Sequence, residues 1–244
     1  MTDHPTAAIL VIGDEILSGR TRDSNMHFLA RELQRHHIPL SEARVVRDVA
    51  EDIVAAVRAL SARYTYVFTS GGIGPTHDDI TADAVAAAFG ASIGVRDDAR
   101  AILQAHYDRR GTEMNEARLR MARIPEGAAL IDNPVSAAPG FILGNVHVMA
   151  GVPMVFEAMV ASVLPGLLGG APLLSQTVTV DRPEGEIAGP LGLLAADFPD
   201  LSIGSYPFQR DGAFGVQIVV RGTDGPRIDA AMARLGEVLP RALA

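Results

Sequence analysis

The chain has 244 residues, 48 % of them hydrophobic and 20 % charged, which supports one large or two small folded domains and argues against disorder. It has no cysteine, so disulfides, thiolate nucleophiles and zinc–thiolate sites are excluded, and a net charge of −8 without a basic stripe argues against nucleic acid or an anionic membrane as partner. All 21 basic residues are arginine, which excludes a Walker-A lysine, a Schiff-base lysine and a lysine general base. No apolar run reaches the roughly 18 residues that a membrane span needs. The opening MTDHPTAAILVIGDE lacks a basic n-region, so no signal peptide is expected and a cytoplasmic location is the simplest reading.

In chain order, Ala7–Ile12 is a short apolar run that predicts a buried strand ending at Gly13. Asn25–His36 carries Phe28, Leu29 and Leu33 at helical spacing. Glu42–Val46 predicts a second strand, Ala50–Arg63 a helix with Ile53, Val57 and Leu60 on one face, and Tyr64–Thr69 a third strand. Ala82–Phe89 predicts a helix closed by Gly90. This alternation predicts a mostly parallel sheet covered by helices on both faces, with ligands bound beyond the carboxyl ends of the strands. Asp97–Arg123 reads as mostly helical, and Ala129–Asp132, Phe141–Leu143 and Val146–Met149 as short strands. An apolar helix follows over Met154–Leu168, suited either to the core or to a partner copy. Gly169-Gly170-Ala171-Pro172 predicts a linker, dividing the chain into domains 1–170 and 171–244. The second is a small α+β domain with strands Ser175–Val180, Leu201–Tyr206 and Phe214–Arg221 and helices Glu186–Ala196 and Arg227–Leu243.

The stretch SGGIGPTHDDIT, Ser70–Thr81, follows the third strand and sets glycines beside adjacent carboxylates. Gly71, Gly72 and Gly74 permit φ > 0 and uncover peptide N–H groups, and a following helix start favours an anion. Asp78 and Asp79 oppose a phosphate unless a divalent cation bridges them, as Mg²⁺ does with one or two carboxylates plus substrate oxygens. Such turns also arise as plain turn chemistry, and an acid near a helix start as a cap. The further strand-end acids Asp14, Glu15 and Asp48 favour a site.

Taken together, GGIGPTHDDIT, the opening motif GDEILSG (Gly13–Gly19) with Asp23-Ser24-Asn25, Val46-Arg47-Asp48, NPVSAAPGF (Asn133–Phe141) and AGVPMVFEAM (Ala150–Met159) resemble the molybdopterin-binding (MoaB/MogA-type) domain, most closely its CinA branch. The resemblance covers roughly residues 7–168, and SIGSYPF (Ser202–Phe208) resembles the tail of short members and the matching region of eukaryotic FAD synthases. It implies a three-layer α/β/α sandwich and a pterin phosphate or nucleotide pyrophosphate ligand. Asp79 and Asp48 match the catalytic pair of adenylyltransferase relatives. The implied activity is metal-dependent hydrolysis of an ADP-ribose or FAD type of pyrophosphate. The implied cofactor is Mg²⁺, Mn²⁺ or Co²⁺, held by Asp79, Asp14 and Asp48. Ser70, Gly71, Gly72, Gly74, Pro75, Thr76, Asn25, Asn133 and Gly140 would bind the ligand or shape its pocket. Family members assemble, which implies a homo-oligomer, a dimer or trimer. The amidohydrolase domain of longer members has no counterpart here. Where those members often carry a lysine, this chain reads NEARLRMARIP. A molybdopterin adenylyltransferase and a non-catalytic pterin or nucleotide binder are the alternatives.

Overall fold

The computed structural model describes residues 5–210 and 213–239. The chain divides into two compact units, Met1–Gly170 and Ala171–Ala244.

In the first unit, strands β1 (Ala7–Ile12), β2 (Leu40–Val46), β3 (Tyr66–Ser70), β6 (Ala129–Ile131), β7 (Gly140–Leu143) and β8 (Val146–Met149) form one sheet in the order β2-β1-β3-β8-β7-β6. β2, β1, β3 and β8 run parallel, and β7 and β6 continue the sheet antiparallel. Every residue of β1 is buried. Successive side chains of a strand point to opposite faces. Ala8, Leu10 and Ile12 therefore enter one core with Ile53, Val57 and Leu60 of helix α3 (Ala50–Ser61) and Val85 of α4 (Thr81–Phe89). Ala7, Ile9 and Val11 enter a second core with Leu29 and Leu33 of α2 (Asn25–Arg35) and Phe156, Met159 and Val160 of α7 (Pro153–Val163). Each large aliphatic side chain so buried contributes about 1.5–3 kcal/mol. The three-layer α/β/α sandwich expected from the sequence is the fold observed.

The span from Asp97 to Arg123 is mostly helical, as the sequence suggests, but it is broken rather than one helix. Helix α5 (Asp97–Arg109) stops before Gly111, whose φ of +62° ends it, and only the short α6 (Glu116–Leu119) and a 3-10 turn follow. Arg123–Pro125 (β5) then pairs antiparallel with Ile93–Val95 (β4), a pairing unforeseen in the sequence. The final turn of the predicted Met154–Leu168 helix is a 3-10 turn at Leu164–Gly166, because Pro165 lacks the N–H an α-helix would use. α7 lies inside the first unit, with Phe156, Met159 and Val160 fully buried. A short helix α1 (Asp14–Leu17) follows β1 directly.

In the second unit, β9 (Leu174–Val180), β10 (Ser202–Arg210) and β11 (Ala213–Gly222) form an antiparallel sheet in the order β10-β11-β9. Val180, Val216, Ile218 and Val220 form its core with Ile187 and Leu194 of α8 (Glu184–Asp197) and Ile228 and Leu235 of α9 (Gly225–Val238). The stretch of the predicted final helix beyond Leu239 lies outside the described residues. Among the described residues, no helix is long and apolar enough to cross a membrane.

Candidate functional site

β1, β2 and β3 are parallel neighbours, so the residues after them emerge at one edge of the sheet. The turns there are tied together. The N–H of Gly13 donates to the Val46 carbonyl at 3.2 Å, and the N–H of Asp14 donates to Oδ2 of Asp48 at 2.9 Å. The Asp14 carboxylate does not turn toward the ligand edge. It accepts from Nε of Arg47 at 3.4 Å, and the side chain is largely exposed. One step along α1 rotates the direction by about 100°, so Glu15 faces the cleft instead. Asp14 is thus not among the residues that line the cleft.

Backbone packing explains two of the loop glycines. A Cβ on Gly71, at φ +112°, would lie 2.2 Å from the Ile12 carbonyl oxygen, and one on Gly72, at φ +70°, 2.1 Å from Oγ1 of Thr81. The Gly71 N–H is not uncovered. It donates to the Met149 carbonyl at 3.2 Å, just as Thr81 N–H donates to Gly72. Thr76 is equally occupied, since its N–H and hydroxyl donate to Oδ2 of Asp79 at 2.8 and 2.5 Å. The donors left for a ligand are the N–H groups of Gly72, Ile73 and Gly74, which have no acceptor among the described residues.

The remaining assignments divide in the same way. Asn25, buried at the start of α2, donates from Nδ2 to Oγ of Ser70 and to the Gly151 carbonyl, both at 2.8 Å. Its Oδ1 is buried and without a partner. Asn133 is a wall residue rather than a ligand contact: Nδ2 donates to Ser136 and Ala138, and Oδ1 accepts from the N–H of Val135 and Ser136. Gly140 lies buried in β7, where a Cβ would fall 2.3 Å from the Val148 carbonyl oxygen, so its role is strand packing.

What remains is a cleft of about 560 Å³ into which Glu15, Asp48, Asp78 and Asp79 bring carboxylates and no arginine enters. Pro75 forms part of its rim. Burial is the main reason the Asp48 carboxyl is held above its ordinary range; the charges of Glu15, Asp14 and Asp78 add to this, and the Asp14 N–H opposes it. Asp78 lines the same cleft. His77 is fully exposed and does not line the cleft. Among the described residues, no group of three or more His, Asp or Glu side chains is placed to hold a metal ion together.

Residues 8–169 match the family described as "Probable molybdopterin binding domain". The chain belongs to that family. Beyond this molybdopterin-binding-type domain, residues 172–244 match the middle domain of FAD synthase. A protein of Aeropyrum pernix is 33 % identical over 216 residues, covering 85 % of this chain and 81 % of its own. A "Probable FAD synthase" of Caenorhabditis elegans is 31 % identical over 264 residues; the match covers 98 % of this chain and 51 % of that protein. This chain therefore spans about half its length. Among solved structures, the protein CinA from Thermoplasma acidophilum, described as of unknown function, is 33 % identical with a TM-score of 0.61, covering 66 % of this chain and 98 % of its own.

Proposed function

We propose that the chain is a metal-dependent hydrolase of a nucleotide pyrophosphate, of the ADP-ribose or FAD type. The observation that carries this reading is the convergence of Asp48 and Asp79, from different strand ends, on one cleft beside the free N–H groups of Gly72, Ile73 and Gly74. The match of residues 172–244 to the FAD synthase middle domain supports a flavin or adenine dinucleotide over a pterin.

The donor set suits a hard divalent cation. It consists of carboxylate oxygens, and the charges that press the Asp48 carboxyl upward are those a cation would offset. Three protein ligands are not required, because Mg²⁺ keeps several waters and takes substrate oxygens beside one or two carboxylates. When bound, such an ion supplies Lewis-acid polarisation of a phosphoryl oxygen. Asp79 and Asp48 would hold it. Asp79 is fixed for this by its two bonds from Thr76, and Asp48 by the bond from Asp14. Asp48 also orients the attacking water and takes its proton. The water oxygen bonds to phosphorus, the bridging P–O bond breaks, and two phosphate monoesters leave. Gly72, Ile73 and Gly74 receive the charge on the non-bridging oxygens.

The test is to incubate the protein with ADP-ribose, FAD, or molybdopterin plus ATP, with Mg²⁺, Mn²⁺ or Co²⁺, and to identify the products. Cleavage of ADP-ribose or FAD that is lost in Asp79→Asn is expected. Full turnover in that variant would sink the assignment. That no group of three such side chains among the described residues is placed to hold an ion favours the second reading, a non-catalytic binder of a pterin or nucleotide, which predicts affinity without turnover.

A further inference from the structure

Behind the loop lies a small void of about 20 Å³, with Arg120 and Arg123 on its walls. Ile73, Gly74, Asp79 and Met121 border both this void and the acidic cleft. The two arginines differ in what they do. Arg123 is committed, because Nη1 and Nη2 donate to the Asp83 carboxylate at 2.8 and 2.6 Å. Arg120 is not. Its Nε is buried with no acceptor, and its one side-chain hydrogen bond among the described residues is a long one of 3.5 Å from Nη2 to the Asp79 carbonyl.

A buried guanidinium N–H without an acceptor costs free energy that an incoming oxygen would recover. A void needs roughly 10–15 Å³ to admit one water-sized atom, so this one has room for a single oxygen. The cleft beside it presents four carboxylates and no arginine, so an anionic ligand needs a fixed positive charge close by. Arg120 meets that requirement from the far side of the loop.

We propose that Arg120 and the void at Gly74 form an anion subsite, in which one phosphoryl oxygen of the ligand seats against the guanidinium. Arg120 is then a binding residue for the pyrophosphate, and its charge would add to that of a cation held by the carboxylates. The proposal rests on the nucleotide-pyrophosphate reading only for the nature of the ligand, since the subsite would take any phosphoryl group.

The experiment is calorimetric titration of the full chain in EDTA with inorganic pyrophosphate and with ADP. Wild type, Arg120→Met and Arg120→Lys are compared, and thermal midpoints are recorded. The wild type should bind both probes. Arg120→Met should weaken both about tenfold or more, the worth of one charge-assisted contact, with its midpoint little changed. Arg120→Lys should recover part of the loss. Equal affinity in Arg120→Met overturns the subsite. So does equal weakening in both variants with lowered midpoints, which would make Arg120 a prop for the loop. Wild type that binds neither probe in EDTA overturns the subsite. The nucleotide-pyrophosphate reading, which needs the cation, falls only if the turnover test with metal fails.

Discussion

The peptide N–H of Asp14 donates to Oδ2 of Asp48 at 2.9 Å, so the turn after the first strand holds the acid that ends the second. That one bond opposes burial and the surrounding negative charges, which together raise the Asp48 carboxyl above its ordinary range. A carboxyl raised in the fold favours the folded state at low pH, below its unfolded value near 3.8, and loses that contribution as pH rises through the folded value. Asp48→Asn keeps an oxygen to accept from Asp14 but removes the charge. It should melt higher than wild type at pH 7, and the gap should close toward pH 4. Metal-dependent turnover should be lost in the same variant. Melting curves across pH, paired with product analysis, check both halves.

His147 presents the opposite sign. It lies in β8, stacks on Phe68 with ring centroids 4.9 Å apart, and buries an Nδ1 without a partner. Burial holds its imidazole below the ordinary value of 6.5. The fold therefore keeps it neutral, and its contribution is full above pH 6.5 and lost as pH falls through the folded value. His147→Phe, which keeps the stack, should flatten the decline in stability between pH 7 and pH 5, measured by urea denaturation at each pH. An unchanged slope would assign the decline to other groups.

Gly71 and Gly90 both have positive φ, but only Gly71 has carbonyl oxygen where a Cβ would go. Gly71→Ala should cost about 3 kcal/mol or more, through strain and the clash with Ile12. Gly90→Ala meets nothing within 4 Å and should cost about 1 kcal/mol. Urea midpoints of the two variants, with unchanged m-values, are the measurement.

Thr76 sends both its N–H and its hydroxyl to one oxygen of Asp79. Thr76→Val keeps the shape and the N–H and deletes the hydroxyl. Since Thr76 is exposed, stability should change by no more than about 1 kcal/mol. Turnover should fall about tenfold, because a carboxylate free to rotate loses its aim. An unaffected kcat would show that Asp79 needs no such guidance.

The sheet was legible because β1 and β3 are apolar runs with no competing period, and α2 and α3 carry their core residues at helical spacing. The β4–β5 pairing was not, since three-residue strands have no period to read and their partners lie about 30 residues apart in sequence. The Gly111 that stops α5 was visible in the sequence, but the apolar and polar residues around it gave no second cue. At the site, spacing located the acids but not their aim. Arg47, adjacent to Asp48, claims Asp14, and only the rotation of α1 reveals that Glu15 takes its place. That Arg123 pairs with Asp83 while Nε of Arg120 is left unpartnered follows from side-chain packing that no linear pattern encodes.

The anchors of the loop come late in the chain. Gly71 hangs from the carbonyl of Met149, and Asn25 from that of Gly151. During synthesis, the ribosome delivers every residue of the loop long before it delivers the strand and turn that hold them. A nascent chain should therefore gain affinity for its ligand in a single late step, once β8 and the turn at Gly151 have emerged and can pack. Ligand retention by stalled chains of increasing length would report the moment at which the first unit is complete.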